Sequence, residues 1–349
     1  MCERNGNALS RLPEALLPWF RENARDLPWR RDREPYHVWL SEIMLQQTRV
    51  ETVRGYYERF IRSLPDIPSL ACAPLDTVYK LWEGLGYYSR ARNLHTAARR
   101  IMTDRGGIFP TDYDSIRALK GVGDYTAGAI ASICFDAPTP AVDGNVLRVV
   151  SRLTADERPV NEEATKSAVR AALAEIYPAG HCGEFTQALM ELGAVVCAPN
   201  GMPACGNCPA RAFCASRDGA WKRFPVRARK KARRRERLTV FLLRYGDAVA
   251  LRKRPDTGLL AGLWELPNVP GHLAPEQAVS RAGTWDLAPH ALLWEARRTH
   301  IFTHVEWDMR VYALSVRAPG ANFVWAGETE LEQSYSLPTA FRKCLKSML

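Results

Sequence analysis

The spacing of apolar residues along the chain changes near residue 238. Before this point apolar residues recur every three or four positions, which is typical of one face of an α-helix. After it they alternate with polar residues, which is typical of half-buried β-strands. The helical pattern is clearest in seven segments separated by proline and glycine: Tyr36–Leu45, Arg49–Ile61, Leu75–Glu83, Ala91–Thr103, Tyr125–Cys134, Val146–Leu153 and Glu162–Ile176. The pattern predicts a helical domain followed by a smaller α+β domain.

Three strand signals and one helix signal define the second part. Leu238–Tyr245 and Ala248–Lys253 flank Gly246-Asp247, which predicts a β-hairpin. Alternation continues over His304–Val316, and a helical segment lies near Pro275–Ala282. The strand residues expected on one face are Val305, Trp307, Met309, Val311 and Ala313.

A basic segment separates the two parts. Residues 221–237 contain ten lysines or arginines and a single glutamate, so the segment cannot bury itself. It is interpreted as a solvated connector that could also lie on phosphates. We therefore predict a helical domain over 1–221, a basic linker over 222–237 and a mixed domain over 238–349.

The charge indicates the class of partner. A net charge of +10 favours a polyanion, either nucleic acid or an acidic membrane surface. No apolar run approaches the roughly 20 residues that span a bilayer. The first twenty residues lack the apolar core of a secretory signal, so we expect a cytoplasmic protein without a membrane partner. In a reducing compartment the nine cysteines are poor disulfide candidates.

Four cysteines within 18 residues predict a metal centre. Their spacing is C-x7-C-x2-C-x5-C, and thiolates are ligands for zinc or for iron–sulfur clusters. Zinc sites usually pair two C-x2-C units, and only one is present here, which favours a [4Fe–4S] cluster. The expected ligands are Cys197, Cys205, Cys208 and Cys214.

A glycine pair could bind phosphate. Gly121, Val122 and Gly123 directly precede a helical run, so backbone N–H groups and the helix N-terminus could face a DNA phosphate. The alternative is an ordinary corner between two helices.

Two carboxylates are the candidates for acid–base chemistry. Helical neighbours of Glu42 include Val38, Trp39 and Leu45, so its carboxyl should be desolvated and its pKa raised, as a general acid requires. Asp143 precedes a helical run and could be a simple N-cap, or an ionised group facing a positive sugar. The alternative for Glu42 is a surface position, and the sequence leaves open whether the two carboxylates meet.

Four motifs together resemble the helix-hairpin-helix DNA glycosylases related to endonuclease III, and among them the adenine DNA glycosylases. They are WLSEIMLQQTRVETV (39–53), WEGLGYYSRARNLH (82–95), GVGDYTAGAI (121–130) and VDGNVLRV (142–149). The resemblance is strong over about 12–215 and weak over 238–349. It implies a mostly α fold with an iron–sulfur cluster loop and a C-terminal α+β, Nudix-like domain that recognises 8-oxoguanine.

The resemblance also implies the reaction. Adenine mispaired with 8-oxoguanine is flipped from double-stranded DNA and excised in base excision repair by a monomeric enzyme, nucleoid-associated in a bacterium. Glu42 matches the catalytic acid and Asp143 the carboxylate that stabilises the cationic sugar, with Asn145 in support. Tyr125 stands where lyase-competent relatives carry a nucleophilic lysine, which implies a glycosylase without lyase activity. Lys120 stands where the family usually has proline.

Further residues match the family's recognition positions. Arg30 and Gln187 match adenine-pocket residues, with Trp29 and Leu45 as apolar walls. The residues expected to enter the base stack or read the lesion are Gln47, Tyr87, Phe302, Thr303 and His304. The plainer alternatives are core packing for Tyr87, a solvated charge for Arg30 and a turn residue for Thr303.

The sequence departs from the family's pattern in three further places. Seven residues rather than six separate the first two cluster cysteines, and the Glu-rich Nudix metal box is absent after Gly262, which argues against a pyrophosphatase. Threonine at 303 replaces the family's serine. The rivals are a bifunctional endonuclease III-like lyase, a non-catalytic protein that binds DNA lesions, and a Nudix hydrolase.

Overall fold

The computed structural model of the protein describes residues 8–228 and 232–345. Between residues 8 and 228 the regular secondary structure is helical, as the apolar spacing predicts. The helices are α1 Leu12–Asn23, α2 Pro35–Leu45, α3 Val50–Ser63, α4 Ile67–Cys72, α5 Leu75–Trp82, α6 Ser89–Arg105, α7 Tyr113–Arg117, α8 Asp124–Phe135, α9 Gly144–Thr154, α10 Glu163–Ala174 and α11 Cys182–Glu191. The seven predicted helical segments are confirmed to within about three residues at each end.

Strands dominate the rest of the described chain. They are β1 Arg234–Tyr245, β2 Ala248–Lys253, β3 Trp264–Glu265, β4 Asn268–Pro270, β5 Pro289–Ile301, β6 Val305–Val316 and β7 Val324–Ala326. Three helices accompany them: α12 Pro275–Gly283, α13 Glu328–Gln333 and α14 Thr339–Leu345. The predicted hairpin around Gly246 is confirmed, since β1 and β2 pair antiparallel.

The described residues divide into two compact units. The first contains 8–71 and 96–228, and the second contains 72–95 and 232–345. In the first unit α1, α9, α10 and α11 enclose an apolar core that includes Leu16, Val146, Leu173 and Phe185. These side chains are buried almost completely, so the core fixes the positions of α9 and α11, which carry Asn145 and Gln187.

The sheet of the second unit is packed on both faces. Its order is β3-β2-β1-β6-β5, with β1 and β6 parallel and β5 and β6 antiparallel. Trp307, Met309 and Val311 of β6 pack on one face with Phe341 of α14. Alternate residues of the same strand pack on the other face with α12. This is the two-residue period that the sequence shows between 304 and 316.

The first strand begins inside the segment interpreted as a connector. Arg234–Arg237 pair with Val305–Asp308 of β6, so these four residues belong to the sheet and not to a solvated linker. Their charge hides the strand signal, and arginine is tolerated here because this end of β1 is largely exposed to solvent. Arg235 is held there by Asp308, whose carboxylate lies 3.1 Å from the guanidinium.

No helix in the described ranges combines the length and the apolar character needed to cross a bilayer.

Candidate active site

A cavity of about 150 Å³ in the first unit gathers residues that are far apart in sequence. Its wall combines apolar side chains with three carboxyl groups and a phenol. All the residues predicted for catalysis and for the adenine pocket line it: Trp29, Arg30, Glu42, Leu45, Tyr125, Asp143, Asn145 and Gln187. The structure therefore answers the question that the sequence leaves open, since Glu42 and Asp143 face the same space.

Glu42 projects from a helix that is buried along most of its length. Pro35 occupies the first turn of α2, where its missing N–H costs nothing, and the helix then buries Val38 and Trp39 beside Glu42. The Glu42 side chain is only 5% exposed. Burial raises its pKa to about 7, and the negative charge of Asp143 adds to the rise. The hydrogen bond from Tyr125 and the charge of Arg30 oppose it. The desolvation expected from the helical neighbours is confirmed.

Tyr125 fixes the orientation of the Glu42 carboxyl group. Its hydroxyl donates to Glu42 Oε2 over 2.6 Å. Burial and the two nearby carboxylates raise the pKa of Tyr125 well above its ordinary value, so the phenol keeps its proton. Because Oε2 accepts this hydrogen bond, a proton on the Glu42 carboxyl resides on Oε1, the oxygen that Tyr125 leaves available.

Asp143 is both an N-cap and a cavity residue. Its Oδ1 accepts from the Val146 amide over 2.7 Å at the start of α9, and its Oδ2 accepts from Asn145 Nδ2 over 2.8 Å. Burial raises the pKa of Asp143, and these hydrogen bonds act in the opposite direction. The N-cap interpretation of Asp143 is confirmed. Its position in the cavity wall is also compatible with the second role, an ionised group that faces a positive sugar.

A chain of hydrogen bonds joins Asp143 to the cysteine-rich loop. Asn145 Oδ1 accepts from Arg148 Nη2 over 2.9 Å, and Arg148 Nε donates to the Cys197 carbonyl over 2.8 Å. Gly193 packs directly against Asn145, where a Cβ atom would lie 2.6 Å from the Asn145 Cβ. Arg148 is not among the residues predicted from the sequence, although its i+3 spacing from Asn145 on a helix is a usable signal.

Glu191 is a second residue that the sequence analysis missed. It is fully buried beside the cavity and accepts from Arg25 Nε over 2.6 Å and from Arg30 Nη2 over 2.8 Å. Burial alone would raise its pKa, but the hydrogen bonds from the two arginines bring it to about 2. Arg30 is thus anchored in the cavity wall as an ion pair, and the solvated-charge alternative is wrong. No local motif marks this pair, because 161 residues separate its members.

The glycine hairpin lies in the first unit with the geometry its sequence suggests. Gly121 has φ +83°, a conformation that favours glycine, and Gly123 is the N-cap of α8. Val122 is buried, whereas both glycines are exposed. The first turn of α8, whose N–H groups have no carbonyl partner within the helix, therefore begins beside two exposed glycines.

The cysteine-rich loop supplies a donor set that suits an iron–sulfur cluster. Cys197, Cys208 and Cys214 are half-buried against the core of the first unit. Burial raises the pKa of the Cys208 thiol to about 11, and the other three cysteines of the set add to the rise, so the four sulfurs are electrostatic neighbours. In the part of the chain that the structure describes, no three side chains already stand in a metal-binding arrangement.

The unusual seven-residue spacing is accommodated in this loop. The residues after Cys197 form an exposed excursion, with Met202 85% exposed, and the Ala204 amide closes it by donating to the Val196 carbonyl over 3.0 Å. Arg152 Nη1 donates to Cys197 Sγ over 3.3 Å. Four thiols and a cationic donor fit a cluster of net negative charge.

Two predicted recognition residues meet in the second unit. Phe302, Thr303 and His304 form the turn between β5 and β6, and Tyr87 lies between α5 and α6. The Thr303 hydroxyl lies 3.0 Å from the Tyr87 hydroxyl, and both side chains are exposed. Phe302 instead packs on Trp307, with ring centroids 4.9 Å apart. Tyr87 is 45% exposed, so core packing does not explain it.

Gln47 does not line the cavity. It follows α2 as an exposed residue with φ +57°.

Comparison with protein-family models gives two matches. The model of the HhH-GPD superfamily base excision DNA repair proteins matches residues 40–179, and a NUDIX domain model matches residues 239–347.

Curated relatives match over nearly the whole chain. An adenine DNA glycosylase of Mus musculus is 35% identical over an alignment that covers 94% of this chain and 76% of that protein. The adenine DNA glycosylase of Homo sapiens is 33% identical, with 95% and 73% covered. Among solved structures, a thermostable thymine-DNA glycosylase has a TM-score of 0.55 and 27% identity, covering 62% of this chain and 97% of that one. An endonuclease III–DNA complex has a TM-score of 0.51 at 23% identity, which shows a common fold.

Proposed function

This chain belongs to the adenine DNA glycosylases, and on that premise we propose that it removes adenine paired with 8-oxoguanine from duplex DNA by hydrolysing the N-glycosidic bond. The observation that carries the proposal is the pairing, in one cavity, of a buried Glu42 carboxyl with pKa about 7 and an Asp143 carboxylate. One group can donate a proton near neutral pH while the other stabilises positive charge.

The two carboxyls have different duties in the reaction. Protonated Glu42 donates from Oε1 to a ring nitrogen of the flipped adenine, so that the C1′–N9 bond breaks and the base leaves as neutral adenine. The sugar becomes cationic, and the Asp143 charge stabilises it. Water adds its hydroxyl to C1′, and its remaining proton restores the Glu42 carboxyl. Tyr125 keeps Oε1 of Glu42 directed towards the base throughout.

The cavity also supports a reaction without strand cleavage. A lyase needs an amine that forms a Schiff base with the sugar, and Tyr125 is a phenol. None of the residues that line the cavity in the described chain is a lysine, and Lys120 is exposed outside it. The bifunctional alternative therefore lacks its nucleophile.

The arginine and amide groups of the wall can recognise adenine. Arg30 carries donors and Gln187 carries both a donor and an acceptor, which suits the Hoogsteen edge of a flipped adenine. Glu191 holds Arg30 in place, so the donor arrangement exists before the base arrives.

Other residues would contact the rest of the DNA. The glycine hairpin of residues 121–123 would bind a backbone phosphate, and Gln47 and Tyr87 would enter the stack that the base leaves. We propose that the enzyme acts as a monomer on nucleoid DNA.

The decisive experiment is a single-turnover assay on duplexes with adenine opposite 8-oxoguanine, guanine or thymine. We expect adenine release from the first two and intact strands until alkali is added. Strand cleavage without alkali would favour the bifunctional lyase, and tight binding without adenine release would favour the non-catalytic lesion-binding protein.

We further propose that Cys197, Cys205, Cys208 and Cys214 hold a [4Fe–4S] cluster. The half-buried thiols and the Arg152 donor fit this group, which would fix the conformation of the loop.

Purified protein is expected to contain about four iron atoms and to be brown. Cys208→Ser should lower the yield and the DNA affinity more than the rate of the chemical step, because the loop lies outside the cavity. Iron and zinc analysis with a visible spectrum checks this, and Cys72→Ser, at an exposed cysteine outside the set, is the matched control. Zinc as the main metal, without visible absorbance, contradicts the assignment.

Thr303→Ala is expected to narrow the preference for 8-oxoguanine over guanine. Oxidation turns the guanine N7 acceptor into an N–H donor, and the threonine hydroxyl can accept from it. Loss of one such hydrogen bond should cost roughly 1–2 kcal/mol of discrimination, about 5- to 30-fold in relative rate. The measurement is the ratio of single-turnover rates on the two mispairs.

Thr299→Ala, on the neighbouring strand β5, is the control for this change. If the ratio for Thr303→Ala equals the wild-type ratio, the turn does not read the lesion and Thr303 is a turn residue.

A further inference from the structure

The turn that carries Tyr87 has an unusual backbone. Between the end of α5 at Trp82 and the start of α6 at Ser89, Gly84, Gly86 and Tyr87 have φ values of +101°, +73° and +50°. Two of the three are glycine, which adopts this region readily. Tyr87 is not, and an aromatic residue remains in this conformation only where its surroundings hold it.

Arg90 is hydrogen-bonded to the backbone of this turn. It is the second residue of α6 and is 8% exposed. Its Nη2 donates to the Leu85 carbonyl over 3.3 Å and to the Gly86 carbonyl over 3.2 Å. Its own backbone amide donates to the Tyr87 carbonyl over 2.9 Å. Side chain and main chain of one residue therefore bind three consecutive carbonyls of the turn.

The Arg90 guanidinium is also close to two aromatic rings. It is 5.5 Å from the centre of the Tyr87 ring and 5.3 Å from that of Trp82, within the range of a cation–π contact. The Trp82 indole N–H donates to the Gly86 carbonyl over 3.2 Å. The Tyr87 ring therefore has the Arg90 guanidinium within cation–π distance, while 45% of the residue stays exposed.

We propose that Arg90 is the positioning residue that holds Tyr87 in the orientation from which its ring enters the base stack. The inference rests on the proposed function, since it assigns a task to a residue that acts on DNA only through Tyr87. A ring that must fill a gap beside 8-oxoguanine gains from being ordered before binding, because its rotamer entropy is then lost on folding and not on association.

The chemistry of arginine is required at this position. A planar guanidinium can lie flat against a ring while its edge donates to two carbonyls, whereas a lysine ammonium is a single compact charge on a flexible chain. Burial lowers the pKa of Arg90 to about 10, so it stays charged at neutral pH.

The test is a double-mutant cycle on adenine excision opposite 8-oxoguanine. Under single-turnover conditions Arg90→Met is expected to slow excision by about 10-fold or more, as misplacement of a positioning group does. In a Tyr87→Ala background the same change should have no further effect, because the residue through which Arg90 acts is gone. Arg100→Met, at an exposed position of the same helix, is the matched control and should leave the rate unchanged.

A spectroscopic arm separates positioning from stability. With 2-aminopurine beside 8-oxoguanine and Glu42→Gln protein, the fluorescence change on binding reports insertion of the ring into the stack. This fluorescence change is expected to be smaller in Arg90→Met, and also in Tyr87→Ala, at a temperature where both variants are folded by circular dichroism. Arg90→Lys serves if the methionine variant does not fold, and it should show the same losses in smaller measure.

Several outcomes overturn the inference. Losses that multiply in the double variant would mean that Arg90 acts independently of Tyr87. A normal rate in Arg90→Met or Arg90→Lys, or in Tyr87→Ala, would remove the positioning role. Failure of the proposed function is a different result, because the wild-type protein itself would then release no adenine.

Discussion

Glu42→Gln is expected to abolish adenine excision while the protein still folds and binds DNA. The amide has nearly the size of the carboxyl and can still accept from the Tyr125 hydroxyl, but it has no acidic proton to give to the base. General acid catalysis contributes roughly 10²–10⁴-fold, so the single-turnover rate should fall by at least that factor. The affinity for a duplex with adenine opposite 8-oxoguanine should change little.

Glu14→Gln is the control for this substitution. It makes the same chemical change at an exposed position of α1 and should leave the rate at the wild-type value. Excision by Glu42→Gln at a rate close to wild type would sink the assignment of the proton donor, whatever its effect on stability.

The pH dependence of wild-type excision tests the same carboxyl in another way. Glu42 must be protonated to act, and its pKa is about 7, so the rate should fall by about tenfold per pH unit well above neutrality. Asp143 must be ionised, and burial raises its pKa, so the rate should also fall on the acid side. The resulting bell belongs to the coupled pair, since each charge influences the other. Glu42→Gln should lack the alkaline limb in whatever activity remains.

The contribution of Glu42 to the free energy of unfolding should fall as the pH rises. A carboxylate in an ordinary ion pair shows the opposite dependence, because it loses its contribution as the pH falls. The folded protein binds the Glu42 proton more tightly than the unfolded chain, because burial raises the pKa from 4.5 to about 7. Its contribution to stability is therefore present below pH 4.5 and is lost as the pH rises through 7. The loss is roughly 3 kcal/mol at about 1.4 kcal/mol per pKa unit. Glu42→Gln should be more stable than wild type at pH 8 but not at pH 4, by thermal unfolding.

Local pattern was enough to predict the environment of the Glu42 carboxyl group. Glu42 has Val38, Trp39 and Leu45 within one helical turn, and in a helix these positions surround it whatever the tertiary fold. Burial and a raised pKa followed directly. The same holds for Gly121, whose place between a helix and a helix start already requires an unusual backbone.

Long-range pairs could not be predicted in the same way. Glu191 meets Arg25 and Arg30 across more than 160 residues, and its own sequence context is that of an ordinary amphipathic helix. Tyr87 meets Thr303 across 216 residues. Such contacts depend on how helices and strands pack, and a single sequence contains no periodicity that records it.

Segment 72–95 shows the same limit at the level of the fold. Its helix α5 has an ordinary amphipathic pattern, yet its contacts place it with the sheet-containing unit. Glu83, at the end of α5, accepts from the Leu337 amide and from Arg342 Nε over 2.9 and 2.8 Å. The residue pattern along the chain predicts one helical domain followed by one mixed domain, because it changes once, near residue 238. Packing can nevertheless join an early segment to a unit formed mainly by later residues.

Asp143→Asn is expected to slow excision by roughly 10²–10³-fold, the range seen when a fixed electrostatic partner of a transition state is removed. Asparagine is as good an N-cap as aspartate, so its side-chain oxygen can keep the bond from the Val146 amide. What disappears is the negative charge that faces the sugar. If Asp143 were only a cap, the rate would stay normal and stability would change by well under about 1 kcal/mol.

Asp112→Asn separates these two roles, because the chain offers a second aspartate N-cap with the same local geometry. Asp112 begins α7 and accepts from the Ser115 amide over 2.9 Å, as Asp143 accepts from Val146 over 2.7 Å, but it is exposed and does not line the cavity. Both variants should unfold within a few degrees of wild type, and only Asp143→Asn should lose excision. Equal rates in the two variants would show that the Asp143 charge does not act on the sugar, and the cationic intermediate would then need another stabilising group. A lower rate in Asp143→Asn with unchanged DNA affinity would locate the effect in the chemical step. The Asp143 carboxylate is already oriented by Asn145 and by the N-terminus of α9, so it need not reorganise when positive charge develops on the sugar.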